Sequence, residues 1–164
     1  MALDVKDLLT RQVARFVDRR ADWDAFADAL VEPYKRAQHR YIGAGASGKA
    51  DSTVIPADHF TLSVMFVPPG QGNAAHSHEV EEVFFILSGK VAVFLEDEAG
   101  HRAETTLGPW DCVSCPASVI HGFTNVGVEP AYLQVMLGKG KPDLMTYADA
   151  GLQQRRAEHL TPAR

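Results

Sequence analysis

Apolar and polar residues alternate from Phe60 to Phe66: Phe60, Leu62, Val64 and Phe66 stand at every second position, with Thr61, Ser63 and Met65 between them, until Pro68, Pro69 and Gly70 stop the run. A period of two marks a strand whose two faces meet different surroundings. Further runs predict strands at about 75–79, 82–88, 90–96, 101–106, 111–115, 120–125 and 130–137, separated by turn signals such as Ser88-Gly89 and Ala99-Gly100. Short strands joined by tight turns, with no helix between them, predict an all-β fold, a small antiparallel barrel or sandwich of jelly-roll type.

The front of the chain follows a different period. Between Asp4 and Arg20, Val5, Leu8, Leu9, Val13, Phe16 and Val17 recur at helical spacing, while Lys6, Arg11 and Asp18 fall elsewhere, which predicts an amphipathic helix. Trp23, Phe26, Ala27 and Leu30 predict a second, shorter helix that ends near Pro33, whose ring disfavours helix in the residue before it. Residues 43–52, GAGASGKADS, read as a loop. The expected layout is a helical extension at 1–50, a β-barrel at 51–140 and a tail at 141–164, all in one domain, as suits 164 residues of which 46% are hydrophobic.

Charge narrows the range of partners. Sixteen Lys and Arg against 21 Asp and Glu give a net charge of −5 with no long basic run, which argues against a nucleic-acid backbone as partner. The start, MALDVKDLLTRQ, lacks the hydrophobic core of a secretion signal, and no stretch reaches membrane-spanning length, so the expected location is cytoplasmic, with no membrane contact. The run Tyr34 to Tyr41 holds a local basic cluster, Lys35, Arg36, His39 and Arg40, which reads as a solvated face or as an attractor for an anionic substrate. The apolar stripe from Val5 to Val17 has to be covered by the chain's own barrel or by a second copy, and a homodimer is the expected assembly.

Candidate chemistry concentrates in GQGNAAHSHEVEEVFFILSG, residues 70–89, where His76, His78 and Glu82 stand two and four residues apart. Even steps along an extended chain aim all three side chains to one side, whereas Glu81 has the opposite parity. His121, in CPASVIHGFTN, is placed to fold back and complete the group. Three neutral imidazoles and one carboxylate suit a divalent first-row metal and leave two neighbouring positions open for water, substrate or dioxygen. Parity makes Phe84, Ile86, Phe123 and Asn125 candidate walls of a largely apolar pocket for a small organic molecule, with Gln134 and Met136 as further candidates. Cys112 and Cys115 form a CxxC in a strand-like setting without a second ligand pair, and read as reduced, semi-buried thiols.

These residues resemble the motifs of the cupin superfamily. The first motif is a glycine, five residues, His-x-His, three or four residues, a glutamate, six residues and a glycine, and Gly70, His76, His78, Glu82 and Gly89 match every position. In the second, Pro116, His121 and Asn125 fit, but Trp110 and Ser118 stand where glycines are expected, with Gly108-Pro109 placed to make the first turn earlier. The resemblance implies a small single-domain metal-binding cupin: a double-stranded β-helix, or jelly-roll barrel, covering roughly residues 55–140 behind the helical extension, with His76, His78, Glu82 and His121 on one metal ion.

Three functions follow from such a site. The first is a dioxygenase in which iron(II) binds substrate and dioxygen and a carbon–carbon bond is cleaved, the electrons coming from the substrate because the chain carries no flavin or nicotinamide motif. The second is a non-redox isomerase, lyase or decarboxylase with manganese, nickel or zinc as Lewis acid. The third is a metal-containing binding protein without turnover. The absence of an evident extra carboxylate, tyrosine or lysine on the ligand face favours the dioxygenase.

Overall fold

In a computed structural model, which describes residues 4–159, the chain forms α1 (Val5–Arg11), ten strands and α2 (Ala150–His159). The strands are β1 (Ala37–Ile42), β2 (Thr61–Val67), β3 (His76–Ser77), β4 (Glu82–Ser88), β5 (Val91–Glu96), β6 (Arg102–Leu107), β7 (Cys112–Cys115), β8 (Ile120–Asn125), β9 (Ala131–Leu137) and β10 (Thr146–Tyr147). They make two five-stranded antiparallel sheets, ordered β1-β2-β9-β4-β7 and β10-β3-β8-β5-β6. The expected jelly-roll barrel is therefore not formed. β1 and β7 end one sheet, β10 and β6 end the other, and no ladder joins the two sheets among the described residues. Alternation along a strand fixes which side chains face inward, but it says nothing about whether the outermost strands meet.

The core lies between the sheets, where Phe84, Ile86, Leu133 and Val135 of the first meet Val91, Val93 and Phe123 of the second. On β2 the inward face is Thr61, Ser63, Met65 and Val67, whereas the opposite face carries Phe66, which packs its ring against Trp23 and Tyr132. That inward face is polar at its start because it borders a cavity.

The front segment departs most from its periodicity. α1 stops at Arg11, capped by the Asp4 carboxylate, which accepts from the Lys6 and Asp7 amides. None of its residues is buried, and a helix of this length without a packed face has little reason to propagate. The second expected helix is reduced to one 3-10 turn at Asp28–Leu30, yet Ala25, Phe26, Ala27 and Ala29 enter the core from it. The basic run forms β1 and becomes part of the first sheet. Its cations are paired: Lys35 with Glu32 at 3.1 Å, Arg36 with Asp28 at 2.9 Å and Arg40 with Asp22 at 2.7 Å.

The Arg36–Asp28 pair is fully interior. Both carboxylate oxygens receive guanidinium N–H groups, at 2.9 and 3.0 Å, while the Ala74 amide and the Tyr147 hydroxyl also donate to Asp28. Burial pushes the Asp28 carboxyl up, but Arg36 and these donors outweigh it and hold the group below the usual aspartate range. One carboxylate thus ties the front segment to the approach of β3 and to β10.

At the two positions where the sequence motif has glycines, Trp110 and Ser118 adopt φ of 73° and 67°. The left-handed turn is retained at Trp110 itself, not shifted to Gly108-Pro109. Ser118 uses its strained conformation to aim its amide at the His78 carbonyl, at 2.7 Å.

Two outcomes follow. Asp28→Asn leaves Arg36 buried without its counter-charge and is expected to cost about 3 kcal/mol in urea unfolding at neutral pH. Because the folded-state pKa of Asp28 is depressed, its contribution is present above the ordinary aspartate value and is lost as pH falls through the lower, folded value, so variant and wild type converge only in strong acid. Ser118→Gly relieves a left-handed serine, worth about 1–2 kcal/mol, against a glycine entropy cost of about 0.5–1 kcal/mol. A rise in stability of about 0.5 kcal/mol by the same measurement is expected.

Candidate metal centre

Four side chains, His76, His78, Glu82 and His121, place one ligand atom each within 4.8 Å of one another, and all four are buried. They do not share a strand. His76 lies on β3 and faces His121 of β8 in the ladder, His78 follows the end of β3, and Glu82 opens β4 in the other sheet. The short connection from β3 to β4 thus carries the motif across the gap between the sheets, and the site forms where they face each other.

The Glu82 carboxylate is the centre of the cluster. Its Oε2 lies 2.9 Å from His121 Nε2 and 3.4 Å from both His76 Nε2 and His78 Nε2. Burial raises the Glu82 pKa, but the His78, His121 and His76 imidazoles around the carboxylate outweigh it and hold it well below the usual glutamate range. Burial also lowers His76, which favours its neutral, ligating form.

Backbone carbonyls settle which nitrogen each ring offers. His76 Nδ1 lies 2.8 Å from the Ala74 carbonyl and His121 Nδ1 lies 2.8 Å from that of Val119, so each Nδ1 carries the proton and each Nε2 presents its lone pair inward. His78 is 3% exposed, with neither ring nitrogen hydrogen-bonded. An orphaned interior imidazole is costly unless a ligand completes it. Two donors about 2.1 Å from one ion on opposite sides stand about 4.2 Å apart, close to the spread seen here. The arrangement fits a single divalent ion held by three imidazoles and one carboxylate.

A narrow cavity of about 20 Å³ adjoins the ligands, room for little more than a water-sized group before side chains move. Phe84 and Phe123 line it. Ile86 is fully buried in the core. Asn125 serves as a clamp, its amide donating to the Val67 and Glu129 carbonyls and accepting from the Gly127 amide. Gln134 and Met136 sit opposite Val64 and Leu62 on the other face of the sheet, so the β9 wall of the cavity is Val135 and Leu137.

Sequence reasoning missed the polar part of the wall: Arg36 and Gln38 at and before β1, Thr61 and Ser63 on β2, and Asn73, whose Oδ1 accepts the Phe123 amide at 2.7 Å. A signal was present in the even spacing of Arg36, Gln38 and Arg40, although polar residues at alternate positions ordinarily mark a solvent face. Cys115 is buried beside Glu82, and burial with the charges of Glu82 and Glu81 pushes its thiol up to about 12, while Cys112 is exposed on the opposite face. Both are free thiols, and burial disfavours the nucleophilic thiolate at Cys115.

The cupin domain family model matches residues 63–137. That segment is a cupin domain. It contains all four ligands. No curated protein matches the chain. Similar solved structures include oxalate decarboxylase of Bacillus subtilis: a tryptophan-to-tyrosine variant at 16% identity and a TM-score of 0.57, covering 77% of this chain and 29% of that one, and a two-residue deletion variant at 15% identity and 0.61, covering 82% and 31%. The same enzyme at pH 4.6 gives 16% identity and 0.57, covering 77% and 28%. This chain therefore spans less than a third of the solved chains it matches, and at such identities the likeness is one of fold.

His78→Ala and His121→Ala are each expected to abolish stoichiometric metal binding in elemental analysis, with circular dichroism unchanged. Glu82→Gln keeps the shape but removes the anionic ligand, and is expected to weaken binding by more than the about 10–100-fold that loss of an outer hydrogen-bond partner costs. Unchanged metal content in both histidine variants would overturn the assignment.

Proposed function

We propose that the protein is a metal-dependent lyase or decarboxylase that acts on a small organic acid without net oxidation. The carrying observation is the buried cluster of three histidines and Glu82 opening on a narrow cavity that also receives polar side chains from β1 and β2. Among the described residues the lining holds no carboxylate besides Glu82 and no tyrosine or lysine, the absence that favoured a dioxygenase, but Gln38, Thr61 and Ser63 offer polar groups that a bound acid can use. The fold's likeness to an enzyme named for decarboxylating oxalate supports the same choice.

Charge supports an acid as substrate. A divalent ion with the Glu82 carboxylate retains one positive charge, and the Arg36 guanidinium beside the cavity is already neutralised by Asp28. A single carboxylate therefore balances the site. When bound, the ion supplies Lewis acidity that polarises a carboxylate or neighbouring carbonyl. Phe84 and Phe123 give the cavity an apolar wall beside the ligands. In decarboxylation the bond to the carboxylate carbon breaks, carbon dioxide leaves, the electron pair stays on the adjacent carbon and a proton from water replaces the lost group. No external oxidant enters this balance. Manganese, nickel and zinc, as well as iron(II), suit the donor set.

The test is reconstitution of metal-free protein with each of these ions, followed by mass-spectrometric detection of carbon dioxide from a panel of small mono- and dicarboxylic acids while dissolved oxygen is monitored. Carbon dioxide release with zinc or manganese and no oxygen uptake is expected. Oxygen consumed in step with product, and with iron alone, would replace this reading with a dioxygenase.

A further inference from the structure

We infer that Gln38 selects the substrate: its side-chain carbonyl accepts a hydrogen bond from a hydroxyl on the acid bound beside the metal ligands, so the site takes small 2-hydroxy acids in preference to their unsubstituted counterparts. The inference deepens the proposed function and rests on its placement of a carboxylate at the ion.

Gln38 is 2% exposed and lines the same cavity as His76, His78 and Glu82, yet its Oε1 has no hydrogen-bond partner. Arg36 and Arg40 flank it along the chain, but its row across the sheet is apolar: it stands opposite Met65, which stands opposite Leu133, which stands opposite Ile86. An amide is out of place in that row unless something in the cavity completes it, because a buried acceptor without a donor loses its hydration for nothing. The backbone holds the group still. The Gln38 amide and carbonyl exchange hydrogen bonds with Asp22 at 2.9 Å on one side, and β2 pairs with β1 on the other. Gly45 leaves room for the amide, since a methyl group there would come within 3.1 Å of Gln38 Nε2.

The chemistry of the partner follows from the orphaned atom. A carbonyl oxygen needs a donor, which an ionised carboxylate lacks and a hydroxyl supplies. Arg36 does not supply it in this structure: its terminal nitrogens donate to Asp28, Tyr34 and Gly72. A hydroxyl on the carbon next to the carboxylate would lie close to an ion held by His76, His78, Glu82 and His121 and, drawn to it, would become a stronger donor. A site built around such a bond discriminates against analogues that leave its polar group unpaired.

The test compares Gln38→Met, similar in volume but without the acceptor, with wild type. Zinc-loaded protein is titrated calorimetrically with hydroxymalonate against malonate and with glycolate against acetate. The wild-type preference for the hydroxylated acid is expected to fall by about tenfold in the variant, the equivalent of one hydrogen bond. Malonate affinity should hold, and the melting temperature should stay level or rise as a buried unpaired group is removed. An unchanged preference, no wild-type preference, no binding of either acid, or a clear loss of melting temperature in Gln38→Met each overturns the inference. These readouts do not need turnover. Absent carbon dioxide release with a preference that follows Gln38 would sink the decarboxylase reading alone, and the converse would sink this one.

Discussion

Glu82 puts an ionised carboxylate, 5% exposed, where imidazole nitrogens from the facing sheet and from the connection to it surround it. A charge buried to that degree is tolerated only when its field is answered locally. Here the answer comes from His76 and His121 on one sheet and from His78 in the connection to the other, so the requirement also fixes how the sheets meet. The β3–β8 ladder sets His76 against His121, and the carbonyls of Ala74 and Val119 orient their rings. The metal centre and the packing of the two sheets are thus one arrangement seen from two sides.

A second buried charge plays the corresponding part for the wall of the cavity. Asp28 gathers Arg36, the Ala74 amide and the Tyr147 hydroxyl around one carboxylate, joining the front segment, the approach to β3 and β10. By pinning residues just ahead of β1, it helps hold that strand on the edge of the first sheet, and β1 carries Gln38 to the cavity. The site therefore has an inner part, made by the motif residues, and a facing part contributed by a segment outside the matched domain at 63–137. The inner part has the donor set for one divalent ion. The facing part lines the cavity beside it.

The stability of this arrangement is not uniform. The apolar stripe of α1 remains open in the single chain, with Val5 68% and Val17 86% exposed. Trp110 and Ser118 hold left-handed turns that a glycine would adopt more easily, and Gln38 and His78 carry buried atoms without partners. The last two lie at the cavity and the ligand cluster, where an unsatisfied group is a binding capacity held in reserve.

What the sequence determined by itself was local. The strands from Thr61 to Leu137 follow their period-two runs to within a residue or two at most ends, and the four ligands were legible because histidine and glutamate at those spacings have few other uses. The reason first offered for the spacing, a shared strand face, was superseded, since His76 and Glu82 lie in different sheets. The tertiary structure alone decided that the sheets stay open, that the front segment gives β1 and one short helix instead of two helices, and that Gln134 and Met136 turn away while Gln38 turns in. Each of these depends on which distant strand lies alongside and which buried charge must be matched. Those are long-range conditions, and residues that are near neighbours in the chain carry no record of them.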